Sequence, residues 1–541
     1  METVYNDDMK QSQTGIPEFR NLIEEDFVYV DKTGYIAKLL QMRRRYYFIS
    51  RPRRFGKSLF CNTLESLFKG DKELFKGLYI YDKYDFKPYP VLHFDFSGLP
   101  MLTLDGFISS FRNQIRIAVK QFGITVSDTD DPATAFENAI NEIHEKHGEI
   151  VIIIDEYDDP LITATLRDKP FLDDIREAFN SYYKTIKKNA GKIRFFFMTG
   201  VVKLSNLSIF SAMNNLVDLS MDKEFAGAFG YTDEELDEYF GEGIDEYIEA
   251  NPGVYESREE FREKIRDYYD GYRFSPESET RVYNPVSIGF FFNNGCRFDE
   301  YWKDTGSTSF AINLARKHNL GNVVTDEQAI SNYAFSTFDI ADLNRNNVSE
   351  DVLLALLYFS GYLSIKEPLR NGISLSFPNR EVATAFSYGL VQWYIGSDSA
   401  AMTLSNMVAD AVEEGNTDKL MKVIESYFSS IPYSAYDNTH ERTFQGFLMN
   451  LFLAASMIVH SEDSTSDGRI DITLEGPSDF WIFELKVDRS ADEAISQIDA
   501  KKYAEKYGYL KVTDRIRRIH KIGINFSSDK RNIEDWISKD S

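Results

Sequence analysis

Arg51-Pro-Arg-Arg-Phe-Gly-Lys-Ser58 lies between an apolar run, Tyr46-Tyr-Phe-Ile-Ser50, and an amphipathic run that begins at Leu59. A strand, a tight loop ending Gly-Lys-Ser and then a helix form an arrangement that holds phosphates. Backbone N–H groups at the helix N-terminus point at the anion, a lysine supplies a compact charge and a hydroxyl ligates Mg²⁺. Gly56, Lys57 and Ser58 are the residues for these roles. Leu59, Phe60, Leu64, Leu67 and Phe68 recur at helical period, and Gly70 is the expected stop. The usual pattern is G-x-x-x-x-G-K-[ST], and Arg51 stands where its first glycine belongs. The loop is therefore expected to take its own path, and a basic surface turn before an ordinary helix is the competing reading.

A second motif decides between them. Ile150-Val-Ile-Ile-Ile154 ends in Asp155-Glu156. A strand this aliphatic is buried on both faces, so its two acids emerge at the carboxyl edge, where open parallel sheets bind ligands. Asp155 is placed to join the Mg²⁺ shell and Glu156 to polarise an attacking water. Phe195-Phe-Phe-Met-Thr199-Gly200 brings a hydroxyl to the same edge, as a γ-phosphate sensor or as a plain strand-end residue.

Four apolar runs, Tyr46 to Ile49, Val91 to Phe96, Ile150 to Ile154 and Arg194 to Met198, are spaced by helix-length segments and predict a parallel α/β sheet. Leu216 to Leu219 is a fifth, short candidate, and Thr232 with Glu235 has capping-box spacing for a new helix. From about Tyr231 the pattern turns helical, including Glu259 to Tyr269 and Asp351 to Phe359. Tyr362 to Ile365 and Ile373 to Phe377, around Arg370-Asn-Gly372, then read as a hairpin of winged-helix type. The last part begins with a helix through Glu441 to Ile458. Strands at Arg469 to Leu474 and Trp481 to Val487, a helix near Ala491 to Tyr507 and a strand at Ile519 to Ile524 follow. The expected domains are 1–230, 231–430 and 431–541.

The chain of 541 residues is 43% hydrophobic and 14% aromatic, which is ample for packed cores. No apolar run approaches the ~20 residues that span a bilayer, and the N-terminus lacks a signal-peptide core, so a cytoplasmic protein without a membrane partner is expected. Cys61 and Cys296 fall in separate segments and read as buried free thiols. A net charge of −25 excludes a protein coated with positive charge for wrapping nucleic acid. Two local basic stretches remain: Arg43-Arg44-Arg45 with Arg51, Arg53 and Arg54, and Arg515, Arg517, Arg518 and Lys521. His144-Glu-Lys-His147 has the wrong spacing for a zinc helix, and no G-x-S-x-G elbow occurs.

A third constellation lies near the C-terminus. Glu484 and Lys486 share one face of a period-2 strand, and the neighbouring strand can bring Asp471 to that face. Two carboxylates that hold Mg²⁺ and a lysine that orients its water are equipment for phosphodiester hydrolysis. A salt-bridged strand face is the plainer reading of the same residues.

Together Gly15-Ile-Pro-Glu-Phe19, Tyr29-Val-Asp-Lys-Thr33, Arg51 to Ser58, Ile154-Asp-Glu-Tyr157 and Tyr269-Asp-Gly-Tyr-Arg-Phe274 resemble the AAA-ATPase-like family of bacterial proteins with a C-terminal PD-(D/E)xK nuclease domain. The resemblance spans nearly the whole chain, and in that family Arg51 is part of the characteristic loop. It implies an AAA-like P-loop NTPase domain, a helical and winged-helix middle and a nuclease-like α/β domain. Arg54, Gly56, Lys57, Ser58, Asp155 and Thr199 are then the nucleotide-binding residues and Glu156 the ATPase base. The resemblance adds Glu441 and Gln497 to Asp471, Glu484 and Lys486 in the nuclease core, although Ile470-Asp471 stands where the family has Pro-Asp. ATP and Mg²⁺ are the expected cofactors and DNA the expected partner, with self-assembly left open. The expected activity is an ATPase that controls a Mg²⁺-dependent DNA endonuclease. The rival is a nucleotide-switched binding or assembly protein with a silent nuclease fold. Arg273 is a candidate sensor arginine, with a helix-end surface residue as its alternative.

Overall fold

Five short strands rich in aliphatic and aromatic side chains form the first sheet. They are β1 (Tyr46–Ser50), β2 (Val91–Asp95), β3 (Ile150–Asp155), β4 (Ile193–Gly200) and β5 (Leu216–Asp218). In the computed structural model they run parallel in the order β2-β3-β4-β1-β5. Strands β1 and β3 are buried along their whole length, as central strands covered by helices on both faces must be. The structure describes residues 18–42, 44–100, 102–167, 169–204, 216–302, 328–331, 349–436, 440–465, 468–513 and 515–540. Residues 15–17 of the Gly15–Phe19 motif and Arg43 lie outside them.

The chain divides into two compact units, one of Met1–Tyr301 with Ala329–Asn379 and one of Trp302–Gln328 with Arg380–Ser541. The expected middle region, 231–430, thus contributes to both. In the first unit, the helix Lys57–Lys69 starts at Gly56 (φ 90°) and stops at Gly70 (φ 86°), where a Cβ would come within 2.9 Å of the Phe86 carbonyl oxygen. Thr232 and Glu235 form the capping box of the helix Asp233–Ala250. Glu235 also pairs at 2.5 Å with Lys32 of the Tyr29–Thr33 motif, and Lys32 donates to the Gly227 carbonyl at 2.8 Å. That motif therefore ties the sheet layer to the helical layer.

The helix Glu350–Phe359 is followed by β7 (Ser364–Leu369) and β8 (Gly372–Ser376), with β6 (Gln328–Ser331) on the other side of β8. Leu369 pairs with Gly372, so the hairpin closes through Arg370-Asn371 alone. The hairpin strand β7 extends later than the expected Tyr362 to Ile365. Gly271 (φ 116°) lets the chain touch itself here, because a Cβ at that position would overlap the Pro378 carbonyl oxygen.

In the second unit, β9 (Ile458–Thr465), β10 (Gly468–Glu475), β11 (Asp479–Val487), β12 (Arg518–Ser527) and β13 (Asn532–Asp540) form a mixed sheet in the order β13-β12-β11-β10-β9. Only the β11–β12 pair is parallel. Two boundaries differ from expectation. The helix expected to run to Ile458 ends at Ala454, because Ser456 turns left-handed (φ 56°) and Ile458 opens β9. The helix expected to reach Tyr507 ends at Ala500, because Lys502 does the same (φ 51°), and a short 3₁₀ turn follows. Gly523 lies against the helix Ala491–Ala500, where a Cβ would come within 2.6 Å of the Ala491 carbonyl oxygen.

Gly271→Ala should destabilise the first unit by at least about 2 kcal/mol, since strain at positive φ adds to a backbone overlap. Because all four tryptophans lie in the second unit, urea unfolding followed by hydrogen exchange of peptides from the first unit checks this, and an unchanged midpoint would count against the close approach.

Candidate functional site

The carboxyl edge of the first sheet collects the acids. Asp95 pairs with Asp155 across β2 and β3, and Met198, one residue before Thr199, pairs with Ile154. Asp155 is almost fully buried, receives a hydrogen bond from Ser58 and is pushed up to about 6 by burial and by the charge of Glu156. Glu156 adopts a left-handed conformation (φ 48°), a strain that persists where the surroundings impose it. Its carboxylate pairs with the Lys57 ammonium at 3.1 Å, and Lys57 also donates to the Pro52 carbonyl at 3.1 Å. Gly56 has open space where a Cβ would stand, and Arg54 (φ 67°) is exposed at the loop. The Thr199 hydroxyl is fully buried and has no hydrogen-bond partner among the described residues. Gly56, Lys57, Ser58, Asp155, Glu156 and Thr199 thus lie around one edge.

Arg51 does something else. Its guanidinium is buried and donates to the carbonyls of Ser50 (2.8 Å), Ser220 (2.7 Å) and Phe225 (3.0 Å), and it lies 4.3 Å from the Phe274 ring centre. Burial brings it down to about 10. Phe55 is also buried, edge-on to Tyr272 (4.7 Å) and Phe274 (5.3 Å). The first half of the loop is therefore a plug in an aromatic socket, and a glycine at position 51 would leave the socket unfilled.

Arg273, between those two aromatics, is not placed as a sensor. Its side chain donates to the carbonyls of Ser275, Ser278, Pro276 and Lys366 and pairs with Glu279 at 2.8 Å. Much of the two basic stretches is likewise engaged. Arg45 pairs with Glu149, Arg53 with Asp159, Arg518 with Asp479 and Lys521 with Asp499.

In the second unit, the step beyond the Ile472–Phe483 pair sets Asp471 opposite Glu484. Asp471 accepts from the Leu485 amide at 2.7 Å, and its own carbonyl accepts from Gln445 at 2.8 Å. Lys486 donates to Glu484 at 2.9 Å and stands 3.8 Å from Glu441. Glu484 is pushed up to about 8 by burial and by the Asp471 charge, and its second carboxylate oxygen is buried with no hydrogen-bond partner. A divalent cation between Asp471 and Glu484 would relieve both strains, so these residues fit the ion that such chemistry uses. Among the described residues no group of three or more His, Cys, Asp or Glu forms a metal cluster. Gln497 hydrogen-bonds Tyr503, whose hydroxyl donates to the Arg469 carbonyl at 2.7 Å. Tyr503 and Gln445 were not singled out in the sequence. Gln445 carries a usable signal, four residues beyond Glu441 on one helix, whereas Tyr503 arrives only through the turn at Lys502.

Residues 13–210 match the family model described as Predicted AAA-ATPase, and residues 439–536 match that of the PD-(D/E)XK nuclease superfamily. An Azotobacter chroococcum mcd 1 protein, described as an uncharacterized protein in the vnfD 5′ region, is 30% identical over 98% of this chain and 98% of its own. The chain belongs to the AAA-ATPase-like family with a PD-(D/E)XK nuclease-superfamily domain. Among solved structures, this AAA-ATPase-like chain aligns with Aeropyrum pernix ORC1 in complex with DNA (TM-score 0.28, 11% identity, 68% of this chain and 96% of that one). It also aligns with Aeropyrum pernix ORC2 in its ADPNP-ADP complexes (TM-score 0.30, 11% identity, 90% and 98%). Likeness at that level is too slight to transfer a ligand. Among the described residues no helix is long and apolar enough to cross a membrane.

If Arg51 only fills the socket, Arg51→Lys should lower the thermal midpoint by several degrees, since a lysine cannot reproduce three forked bonds. ATP affinity of the folded variant, measured by calorimetry well below that midpoint, should stay within about threefold of the parent. A hundredfold loss would return Arg51 to the phosphates.

Proposed function

We propose that this protein is an ATP-binding and ATP-hydrolysing switch that controls a Mg²⁺-dependent DNA endonuclease in the same chain. What carries the reading is the segment Tyr269–Phe274. On one side Tyr272 and Phe274 grip Phe55 and Arg51 of the phosphate loop. On the other, Gly271 abuts Pro378, and the Tyr269 carbonyl accepts from Asn379 at 2.9 Å. Asn379 is the last residue of the first unit, and the chain passes directly from it into the unit that holds Asp471, Glu484 and Lys486. A loop that shifts on binding a nucleotide therefore pulls on the chain where it leaves for the nuclease-like unit.

At the nucleotide edge Lys57 is suited to exchange Glu156 and Pro52 for a terminal phosphate, which frees Glu156 to orient a water. The buried hydroxyl of Thr199 can donate to a phosphate oxygen, and Arg54 on the loop offers a further charge. Ser58 and Asp155 would hold Mg²⁺, which screens phosphate charge when bound. At the second site Asp471 and Glu484 would hold the ion, and Lys486, fixed by Glu484 and near Glu441, orients the nucleophile. Gln497 and Tyr503 brace the adjoining chain. The three-part division at residues 230 and 430, a cytoplasmic location and a homo-oligomeric state belong to the same proposal.

Lys57→Ala should lose ATP binding by about a hundredfold or more, whereas Glu156→Gln should keep binding and lose turnover by at least about a hundredfold. Radiolabelled ATP binding and phosphate release separate the two, and full turnover in Glu156→Gln would remove that residue from catalysis. For the nuclease, plasmid nicking with Mg²⁺ should fall by at least about a thousandfold in Asp471→Ala and Lys486→Ala. Nicking equal to the parent in either variant would leave the rival, a nucleotide-switched binding protein with a silent nuclease fold.

A further inference from the structure

Between Lys501 and Lys521 the sequence carries eight Lys and Arg against two acidic residues, in a chain whose net charge is −25. This density of positive charge adjoins the candidate phosphodiester site, because the stretch begins one turn past Gln497 and contains Tyr503. Its inner side is firmly seated. Tyr503 and Tyr507 belong to the buried cluster that includes Ile470, Phe480 and Ile482, with Leu510 and Ile516 packed against it. The Tyr507 ring lies 4.2 Å from that of Phe480, and its hydroxyl bonds Asp463. The Arg515 amide donates to the Leu510 carbonyl at 2.9 Å, which closes the loop upon itself.

The outer side carries two large apolar side chains in the open, Tyr509 at 59% exposure and Val512 at 85%. Tyr509 and Val512 lie three residues apart on the short helix Gly508–Val512, so the two open apolar groups stand together beside the positive charge. Lys501, Lys502, Arg515 and Arg517 are exposed on the same short stretch. Part of its charge is already spent, since Lys506 pairs with Asp463, Arg518 with Asp479 and Lys521 with Asp499. Lys501, Arg515 and Arg517 form no ion pair among the described residues.

We infer that Lys501–Arg517 is a landing surface for an unpaired nucleic-acid strand, in which Tyr509 and Val512 meet bases while Lys501, Arg515 and Arg517 neutralise phosphates. An aromatic ring takes a base only where the base face is free, which a duplex does not offer away from its ends, so this surface selects single-stranded or frayed substrate. An acidic protein partner would satisfy the lysines and arginines but gives Tyr509 no preferred face. The inference rests on the nuclease reading above, in that it names the substrate form presented to Asp471, Glu484 and Lys486.

The test is fluorescence anisotropy of the full chain, in EDTA, with a labelled 20-nucleotide single strand and with a labelled hairpin duplex of the same length. The parent should favour the single strand. Tyr509→Ala with Val512→Ser should weaken that binding about tenfold with the salt slope unchanged. Lys501→Gln with Arg515→Gln and Arg517→Gln should reduce the slope of log affinity against log salt by about 2. All five positions are exposed, and equal thermal midpoints would confirm folding. No preference for the single strand in the parent, or parent-like binding in both variants, overturns the inference. A parent that binds as expected and responds to both changes, yet cuts nothing with Mg²⁺, leaves this surface in place and removes the nuclease reading alone.

Discussion

A buried guanidinium that forms no ion pair among the described residues governs the first unit. Arg51 is held by three backbone carbonyls and the face of Phe274, an arrangement in which the cost of removing a charge from water is met by dipoles and a ring. Those carbonyls come from the end of β1 and from the chain just after β5, so the arginine fastens two strand ends together. The phosphate loop inherits its path from that fastening. Phe55 drops into the aromatic socket, and Gly56 is left to turn the chain into the helix that carries Lys57 and Ser58.

Two acidic centres of similar make-up lie in the two units. Each has a pair of carboxylates, one of them almost wholly buried, and a lysine that bridges to one member: Asp155 and Glu156 with Lys57, Asp471 and Glu484 with Lys486. In each, burial and a like charge raise a carboxyl, Asp155 to about 6 and Glu484 to about 8. Such pairs are held together by the surrounding fold rather than by their own attraction. Under the proposed function, a cation bound at either centre would relieve that repulsion.

The residues that announce themselves in the sequence are those whose roles are set by near neighbours. Gly56-Lys57-Ser58 and Asp155-Glu156 follow strands so apolar that their placement at an edge needs no further information, and Glu484-x-Lys486 has the period of its strand. Arg51 could be noted but not explained, because its partners lie near residues 220, 225 and 274. Strands β9 and β13 escaped notice because they are polar edge strands with one neighbour each, so no strict alternation is imposed on them. The overlong helices have the same kind of cause. An apolar run continues past Ala454, and only the left-handed turn at Ser456 ends it. Lys502 hides a similar turn, which brings Tyr503 beside Gln497.

The first unit is not contiguous in sequence, and this affects how it can be made. Arg51 leaves the ribosome long before the socket that will receive it. Roughly 220 residues must follow before Phe274 emerges, and at usual rates of synthesis that takes on the order of ten to forty seconds. Pro378, which seals the far side of the socket at Gly271, comes later still. Through that interval Arg51 can find the carbonyls of Ser50, Ser220 and Phe225 as each emerges, but Phe55 has no aromatic socket to enter. The first half of the loop therefore completes its packing only when the peptide that leads to the second unit has itself been made.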